Sequence, residues 1–211
     1  MLFDFLVPQR IIFGPGCAGR LGAEASNFGK KVLLCMGKGS LQASGMIERV
    51  IGPLEAAELK IIYCGGIAPE PTLESVEESL KIAREYDVDL VIGVGGGSVL
   101  DVAKATAGLY HGDGKVKDYF EGKEIERAGL PWIAVPTTAG SGAEVTKNAV
   151  LSDPDTGRKQ SIRWDSWLAS AAVVDPVLTM SMPRHVTAQT GMDALTHALE
   201  AYTSRWTYPM T

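Results

Sequence analysis

The chain has 211 residues and a formal net charge of −5, from 20 lysines and arginines against 25 aspartates and glutamates. At roughly 100–200 residues per domain, this length accommodates one domain, or one domain with a piece of a second. Hydrophobic residues make up 45% of the chain and charged residues 21%, which supports a packed core and excludes a disordered chain. The mild acidity, without a basic cluster, argues against nucleic acid or an anionic lipid surface as the main partner.

Targeting signals and cysteine usage both predict a cytoplasmic protein. No apolar run approaches the roughly 18–20 residues that cross a bilayer. The first eight residues carry Asp4 and no basic residue, unlike the start of a signal peptide. Cys17, Cys35 and Cys64 are widely spaced and form no C-x-x-C pair, so neither a disulfide framework nor a zinc knuckle is indicated.

Short apolar runs alternate with stretches of helical spacing. Runs that are continuously apolar rather than alternating predict strands buried on both faces. These strands are Lys31–Met36, Leu59–Cys64, Val88–Val94 and Trp132–Val135, with Ala172–Asp175 as a weaker fifth. The helical stretches are Leu41–Ile51, Thr72–Tyr86, with Thr72 as its N-cap, and Val99–Leu109. This alternation predicts a parallel α/β sheet.

The two ends of the chain differ from this middle part. Leu2–Gly14 alternates around Pro8 and predicts a hairpin or an edge strand, where proline is tolerated. Thr146–Ala169 is polar and mixed, and no element is assigned to it. Thr187–Ser204 is one long helical stretch with no strand after it. We therefore expect the chain to stop just inside a second domain.

A glycine-rich segment, Gly93–Ser98, lies between a predicted strand and a predicted helix. Glycines allow positive φ and close approach to a ligand, and amides at a helix start suit a pyrophosphate. Ser98 and Asp101 also fit an S-x-x-D cap. The segment differs from the standard dinucleotide fingerprint, because Ser98 replaces its last glycine and the strand is the third rather than the first. A tight turn without a ligand is the alternative.

Two further loops follow predicted strands and would share the same edge of a parallel sheet. Pro136–Thr146 offers the hydroxyls of Thr137, Thr138 and Ser141, and Gly37–Ser40 offers glycine amides, Lys38 and Ser40. No acid lies between Gly37 and Gln42. Lys38 and exposed amides would stabilise a ribose 2′-phosphate there. Solvated loops without a ligand remain the alternative for both.

Asp193 and His197 lie one helical turn apart and therefore on one face of the last helix. A carboxylate with an imidazole suits a divalent ion such as Fe²⁺, Zn²⁺ or Mn²⁺. Two ligands are too few for a catalytic site, which usually has three. A surface salt bridge is the alternative interpretation.

Together these stretches resemble the iron-containing (group III) alcohol dehydrogenases. The matching stretches are IFG at 12–14, GKGS at 37–40, GGGSVLDVAKA at 95–105, PTTAGSGAEVT at 136–146, VVDPVLTMSMP at 173–183 and GMDALTHALEAYTS at 191–204. The last three are specific to the family. The resemblance implies an α/β dinucleotide-binding domain over residues 1–180, followed by the first, incomplete part of an all-helical metal-binding domain over residues 181–211.

The resemblance also implies roles for individual residues. The implied contacts to the pyrophosphate and nicotinamide side are Gly95, Gly96, Gly97, Ser98 and Asp101. Thr137 and Thr138 would flank the nicotinamide and adenine–ribose regions, Lys159 would meet the ribose, and Leu178 would pack nearby. Asp193 and His197 match the first two metal ligands of the family, whose other two are histidines on later helices.

For the reaction, the resemblance implies hydride transfer between nicotinamide C4 and a small primary alcohol or aldehyde, with Fe²⁺ or Zn²⁺ stabilising the alkoxide. Family members with a glycine at the place of Gly37 tend to use NADP, so we predict NADP(H), with NAD as the alternative. We expect no general base in this segment, with His111 and His185 facing solvent or capping. A homodimer through Leu2–Gly14 is also expected.

Two other functions stay open at this point. The chain could be a catalytically inactive dinucleotide-binding fragment, because it carries only half of a metal site. It could also share the fold with glycerol dehydrogenase, glycerol-phosphate dehydrogenase or dehydroquinate-synthase-like enzymes. The stretches PTTAGSGAEVT and GMDALTHALEAY favour the alcohol dehydrogenases.

Overall fold

The computed structural model describes residues 4–206, and of Ser40 it describes the backbone alone. The strands are β1 (Ile11–Phe13), β2 (Lys31–Gly37), β3 (Lys60–Ile67), β4 (Leu90–Gly95), β5 (Trp132–Pro136), β6 (Asn148–Asp153), β7 (Arg158–Arg163) and β8 (Ala171–Val174). The α-helices are α1 (Leu21–Ala25), α2 (Ser40–Ala43), α3 (Glu48–Ala56), α4 (Leu73–Tyr86), α5 (Gly97–Leu109), α6 (Val116–Phe120) and α7 (Arg184–Thr203).

Six strands form one sheet in the order β1-β8-β5-β4-β2-β3, and every neighbouring pair is parallel. The predicted parallel α/β fold is therefore confirmed. β1 is an edge strand that pairs with β8, so of the two expectations for the N-terminal segment the edge strand is right. The hairpin is wrong for the part of that segment from residue 4 onward.

Helices cover both faces of the sheet, which explains why its strands are apolar throughout. Along β2, Val32 and Leu34 pack in the core that contains α1 and α3. Leu33 and Cys35 point the opposite way, into the core beneath α4 and α5, because successive side chains of a strand alternate between faces. The result is a three-layer sandwich of helices, sheet and helices.

The structure corrects one predicted helix, adds two strands to the unassigned region, and confirms one predicted N-cap. The helix expected over 41–51 is split into α2 and α3, because Gly45 between them takes a φ of 70°, a conformation that ends a helix. The unassigned region 146–169 contains the antiparallel ribbon of β6 and β7. The N-cap expected for α4 is confirmed, since the Thr72 side chain accepts a hydrogen bond from the Ser75 amide at 3.2 Å.

The order of strands places a switch point beside β2. The chain goes from β2 to β3 on one side and returns to β4 on the other side of β2. In open parallel sheets, ligands bind in the crevice at the carboxyl ends of the two strands where the order reverses. The crevice between β2 and β4 is therefore the expected position of a ligand-binding site.

The last helix, α7, follows β8 and extends the fold beyond the sheet. None of its 20 residues is buried. Its midpoint nevertheless lies against the loop after β5, where Gly140 meets Thr190. Among residues 4–206, no helix combines the length and the apolar character that crossing a membrane demands.

Candidate functional site: a groove at the carboxyl ends of the strands

The crevice at the switch point joins the three loops that the sequence singles out. The Thr137 amide donates a hydrogen bond of 2.9 Å to the Gly95 carbonyl oxygen, which ties the ends of β5 and β4 together. The crevice is lined by Met36, Gly37, Gly39, Leu41, Gln42, Val94, Gly95, Gly96, Val99, Thr137 and Thr138. The predicted meeting of the loops after β2, β4 and β5 is therefore confirmed.

The glycines after β4 are needed for close packing rather than for an unusual backbone conformation. A Cβ on Gly95 would lie 2.6 Å from Val99 Cγ2, and one on Gly97 would lie 2.7 Å from Ser141 Oγ. A Cβ on Gly96 would lie 3.3 Å from the Thr138 side chain. None of the three has a positive φ, so that part of the expectation is wrong. Their small size lets the backbone itself form the wall of the crevice.

The cap expected from Ser98 and Asp101 is also wrong. Helix α5 begins at Gly97, its N-cap is Gly96, and no side chain caps it. The helix starts two residues earlier than the cap requires, so Ser98 lies inside its first turn. The Asp101 carboxylate instead accepts a hydrogen bond of 3.1 Å from the Val150 amide of β6. The first turn of α5 thus keeps its amides at the crevice, where an anion would gain from the helix dipole.

Next to Asp101, a lysine is completely buried in helix α5. The Lys104 ammonium donates hydrogen bonds to the carbonyl oxygens of Ala143 (2.9 Å) and Asn148 (2.7 Å) and to Thr146 Oγ1 (3.1 Å). It also lies 3.9 Å from Asp101 Oδ1. The ammonium therefore fixes the loop between β5 and β6 to α5.

Burial opposes charge on both members of this pair. Desolvation raises the pKa of Asp101 to about 6, although the nearby Lys104 ammonium acts in the opposite direction. Desolvation likewise lowers the pKa of Lys104 to about 8, against the attraction of Asp101. Each group holds the other in its charged form, which is the condition for keeping ions in an apolar interior.

A wider, open cavity continues from the crevice toward α7. It brings together predicted site residues from four separate segments, namely Gly97, Ser98, Asp101, Thr138, Lys159, Asp193 and His197. Lys159, on β7, forms an ion pair of 3.4 Å with Glu70 at the rim of this cavity. Leu178 is buried and lines an adjoining cavity with Thr137 and Thr138. Thr138 borders all three spaces, and we call these adjoining spaces together the groove.

Helix α7 carries Asp193 and His197 on the side that faces the groove. A Cβ on Gly140 would lie 2.7 Å from the Thr190 carbonyl oxygen, so a glycine is required where the loop after β5 touches α7. Asp193 Oδ1 lies 3.6 Å from His197 Nε2, and both side chains are about half exposed, at 46% and 54%. An adjacent carboxylate oxygen and imidazole nitrogen suit a divalent metal. Within residues 4–206, no group of three His, Cys, Asp or Glu could hold one.

Not every residue of the third loop takes part in the crevice. Gly37 lines it, whereas the Lys38 side chain is exposed and does not. The side chain of Ser40 lies outside the described part of the structure. His111 and His185 are exposed and line no part of this groove, in agreement with their expected solvent-facing position.

The buried charged residues that the sequence analysis does not identify include Lys104 and Asp175. The Asp175 carboxylate follows β8 and accepts hydrogen bonds from the amides of Gly16 (3.0 Å), Ala18 (3.1 Å) and Val177 (3.0 Å). It thereby joins β8 to the turn after β1. An aspartate before a proline is a cap signal, whereas a lysine among alanines in a helix usually faces solvent.

Comparison with known proteins identifies the family of this chain. The sequence model of the family described as iron-containing alcohol dehydrogenase matches residues 8–176. The chain is 43% identical over 204 residues to long-chain-alcohol dehydrogenase 1 of Geobacillus thermodenitrificans, covering 92% of this chain and 51% of that protein. It is 36% identical to an NADPH-dependent butanol dehydrogenase of Clostridium saccharobutylicum, covering 100% of this chain and 54% of the relative.

A solved structure shows the same fold. The crystal structure of NADH-dependent butanol dehydrogenase A from Thermotoga maritima superimposes with a TM-score of 0.92 at 33% identity, covering 99% of this chain and 53% of that chain. This chain therefore spans about half the length of the relatives that it matches.

Proposed function

Because the chain belongs to the iron-containing alcohol dehydrogenase family, we propose that it forms the dinucleotide-binding part of a metal-dependent alcohol dehydrogenase. The reaction is hydride transfer between NADP(H) and a small primary alcohol or aldehyde. The observation that carries the proposal is the single groove that holds the glycine loop after β4, Lys159, and the pair Asp193 and His197. A dinucleotide in this groove lies with its nicotinamide end toward the metal pair.

The chain's own residues bind and orient the nucleotide. Gly95, Gly96 and Gly97 leave room for the pyrophosphate, and the first amides of α5 and the Ser98 hydroxyl donate to it. Thr137 and Thr138 supply hydroxyls along the groove, and Leu178 packs against the nucleotide from below. The Lys159 ammonium, which pairs with Glu70 in this structure, would donate to a ribose oxygen. Asp101, held by Lys104, faces the nicotinamide side.

A preference for NADP(H) over NAD(H) follows from the end of β2. NAD-specific sites place an acid there, which bonds the ribose 2′-hydroxyl and repels a 2′-phosphate. This chain has Gly37 at that point, with Lys38 after it. Among the relatives, one is named as NADPH-dependent and another as NADH-dependent. Membership of the family therefore does not decide the coenzyme, and the proposal rests on Gly37 and Lys38 of this chain.

Fluorescence titration of the chain with NADPH and NADH tests this preference. We expect NADPH to bind more than about tenfold more tightly, which is ~1.4 kcal/mol. The variant Gly37→Asp should reverse the order, and a Cβ there meets only ordinary contacts at 3.6 Å and beyond. The variant Lys38→Ala removes the positive charge next to Gly37. It should weaken the binding of NADPH and leave the binding of NADH unchanged. Tighter binding of NADH by the unchanged chain would contradict the NADP proposal.

Asp193 and His197 supply two of the metal ligands, and the ion is Fe²⁺ or Zn²⁺. When bound, the metal supplies Lewis-acid stabilisation of negative charge on the substrate oxygen. Two donors on an exposed helix hold an ion weakly, so we expect this chain alone to release metal on dialysis. Metal analysis after dialysis checks this, with His197→Ala as the control.

The domain boundary at residues 180 and 181, the homodimer through the N-terminal segment, and the cytoplasmic location stay predictions. The apolar side chains of Phe5, Leu6 and Phe13 are more than half exposed, which supports a contact through that segment. Light scattering would contradict the dimer by showing a monomer at micromolar concentration.

An inactive nucleotide-binding module is the second candidate, favoured by the two-donor metal pair. Turnover of 1-butanol or butyraldehyde by the chain with added Fe²⁺ or Zn²⁺ separates the two functions. Metal-dependent turnover would exclude the inactive module. Nucleotide binding without turnover would support it for this chain.

A further inference from the structure

Two cysteines lie opposite each other on neighbouring strands of the sheet, in the core that α4 and α5 cover. In the parallel pairing of β2 with β3, Cys35 is the register partner of Cys64. Both side chains point into the same core, beneath α4. Neighbouring strands lie about 4.8 Å apart, which is within the range of roughly 4.4–6.8 Å that the Cα atoms of a disulfide require.

The surroundings of the two sulfurs favour reaction between them. Cys35 Sγ lies 3.6 Å from Ser79 Oγ of α4. Hydrogen bonds from Cys35 and Ser79 stabilise the Cys64 thiolate and lower the pKa of Cys64 to about 7, against the effect of burial. The same contact with Cys64, together with complete burial, raises the pKa of Cys35. Cys64 lies on the edge strand β3 and precedes the exposed Gly65, whereas Cys35 lies inside the sheet. Cys64 is therefore the sulfur that an oxidant reaches first and the nucleophile of the pair.

Access to Cys64 is given by its place in the sheet. β3 is the edge strand beyond β2, and Gly65 and Gly66, which follow Cys64, are exposed. Edge strands and strand ends open locally at a lower free energy than the centre of a sheet. Cys17, the third free cysteine, lies near β1 at the opposite edge and cannot compete for either sulfur.

We propose that Cys35 and Cys64 form a reversible disulfide across β2 and β3 when the chain meets hydrogen peroxide. The Cys64 thiolate sulfur attacks one peroxide oxygen, the O–O bond breaks, and a first water leaves as Cys64 becomes a sulfenic acid. The Cys35 sulfur then attacks the Cys64 sulfur, the S–O bond breaks, and a second water leaves. Two thiols and one peroxide thus give one disulfide and two waters. A dithiol reduces this disulfide back to the two thiols by exchange and is itself oxidised to a disulfide.

The disulfide should also weaken nucleotide binding in the crevice, and this second part of the proposal rests on the proposed function. Gly37 follows Cys35 by two residues, pairs with Ile67 after a shift of register, and lines the crevice. Disulfides most often hold their Cα atoms about 5.5–6 Å apart, which is more than the usual strand spacing of about 4.8 Å. Closing the sulfur–sulfur bond therefore shifts the ends of β2 and β3 relative to each other. We expect the Kd for NADPH to rise about threefold or more in the oxidised chain, and to return after reduction.

The test uses the Cys17→Ala variant, which retains only the two cysteines of interest. After treatment with hydrogen peroxide, we expect both thiols to disappear together, the monomer to lose the mass of two hydrogens, and dithiothreitol to restore both thiols. Added oxygen atoms on the cysteines, disulfide-linked dimers or unreacted thiols would each overturn the proposal. The double variant Cys17→Ala/Cys64→Ala must lose the reaction, and circular dichroism checks that both variants fold.

The nucleotide titration separates this proposal from the proposed function. An oxidised chain that binds NADPH as tightly as the reduced chain would overturn the coupling to the crevice, even if the disulfide forms. A reduced chain that binds no nucleotide would contradict the proposed function and leave the thiol chemistry to be decided by the mass measurement.

Discussion

Helices α5 and α7 both border the groove, and they differ in what surrounds them. Every residue of α5 from Val99 to Leu109 is buried, whereas α7 buries none. The side of the groove that α5 forms, where we propose that the nucleotide binds, is therefore held in position by packing within this chain. The side that α7 forms, where we propose that the metal binds, is held at the Gly140 contact and is otherwise exposed. Five predictions test this contrast, from the largest expected effect to the smallest.

Removing the buried ammonium group of Lys104 should give the largest loss of stability. In Lys104→Met, the carbonyl oxygens of Ala143 and Asn148 lose their donor and Asp101 loses its counter-charge. Breaking such a pair costs about 3–5 kcal/mol of the free energy of unfolding. Urea denaturation measures this change. The exposed Lys38→Met is the control and should change the free energy by less than ~0.5 kcal/mol.

The loss in Lys104→Met should depend on pH. The pKa of Asp101 is already raised to about 6 in the folded chain, so its folded form binds a proton more tightly than its unfolded form. Protonation therefore relieves the unpaired carboxylate as pH falls through the folded pKa. We expect a larger loss at pH 8 than at pH 5, and the double variant with Asp101→Asn should abolish this difference. An equal loss at both values would contradict the pairing.

The second largest effect should come from adding a methyl group to the crevice wall, which should weaken nucleotide binding. Gly95→Ala places a Cβ 2.6 Å from Val99 Cγ2, so the start of α5 must shift. We expect the Kd for NADPH to rise about thirtyfold, or ~2 kcal/mol. Gly52→Ala, in α3, meets nothing within 4 Å and should leave the Kd unchanged. Fluorescence titration compares the two variants.

A smaller effect should follow from disturbing the contact between α7 and the loop after β5. A Cβ in Gly140→Ala would lie 2.7 Å from the Thr190 backbone oxygen, which must move. Because α7 has no other buried anchor, we expect faster hydrogen exchange in α7 than in the unchanged chain, with a loss of about 1 kcal/mol in local stability. Exchange in β4 should not change. Exchange that rises equally in both would show that α7 is part of the main core.

The smallest effect should come from the metal pair itself. Asp193 and His197 are about half exposed, and exposed ion pairs contribute about 0–1 kcal/mol. We expect Asp193→Asn and His197→Gln to leave the thermal midpoint and the Kd for NADPH nearly unchanged, while both raise the Kd for Zn²⁺ in an equilibrium titration. A marked loss of stability would show that the pair is structural.

The sequence by itself determined the parallel sheet, because continuous apolar runs alternating with amphipathic stretches permit few other arrangements. It also identified the glycine loop and the spacing of Asp193 and His197, which are local features of a turn and of one helix face. The motif stretches pointed to the family for the same reason, since each is contiguous in the chain.

Only the tertiary structure decided what depends on distant segments. The glycines after β4 have ordinary φ values, and Ser141 and Thr138 explain their size. Lys104 is buried because carbonyl oxygens some 39 to 44 residues away surround it, and Cys35 faces Cys64 through strand register. A residue's charge partners and close contacts are set by packing between elements, and the sequence around that residue does not contain them.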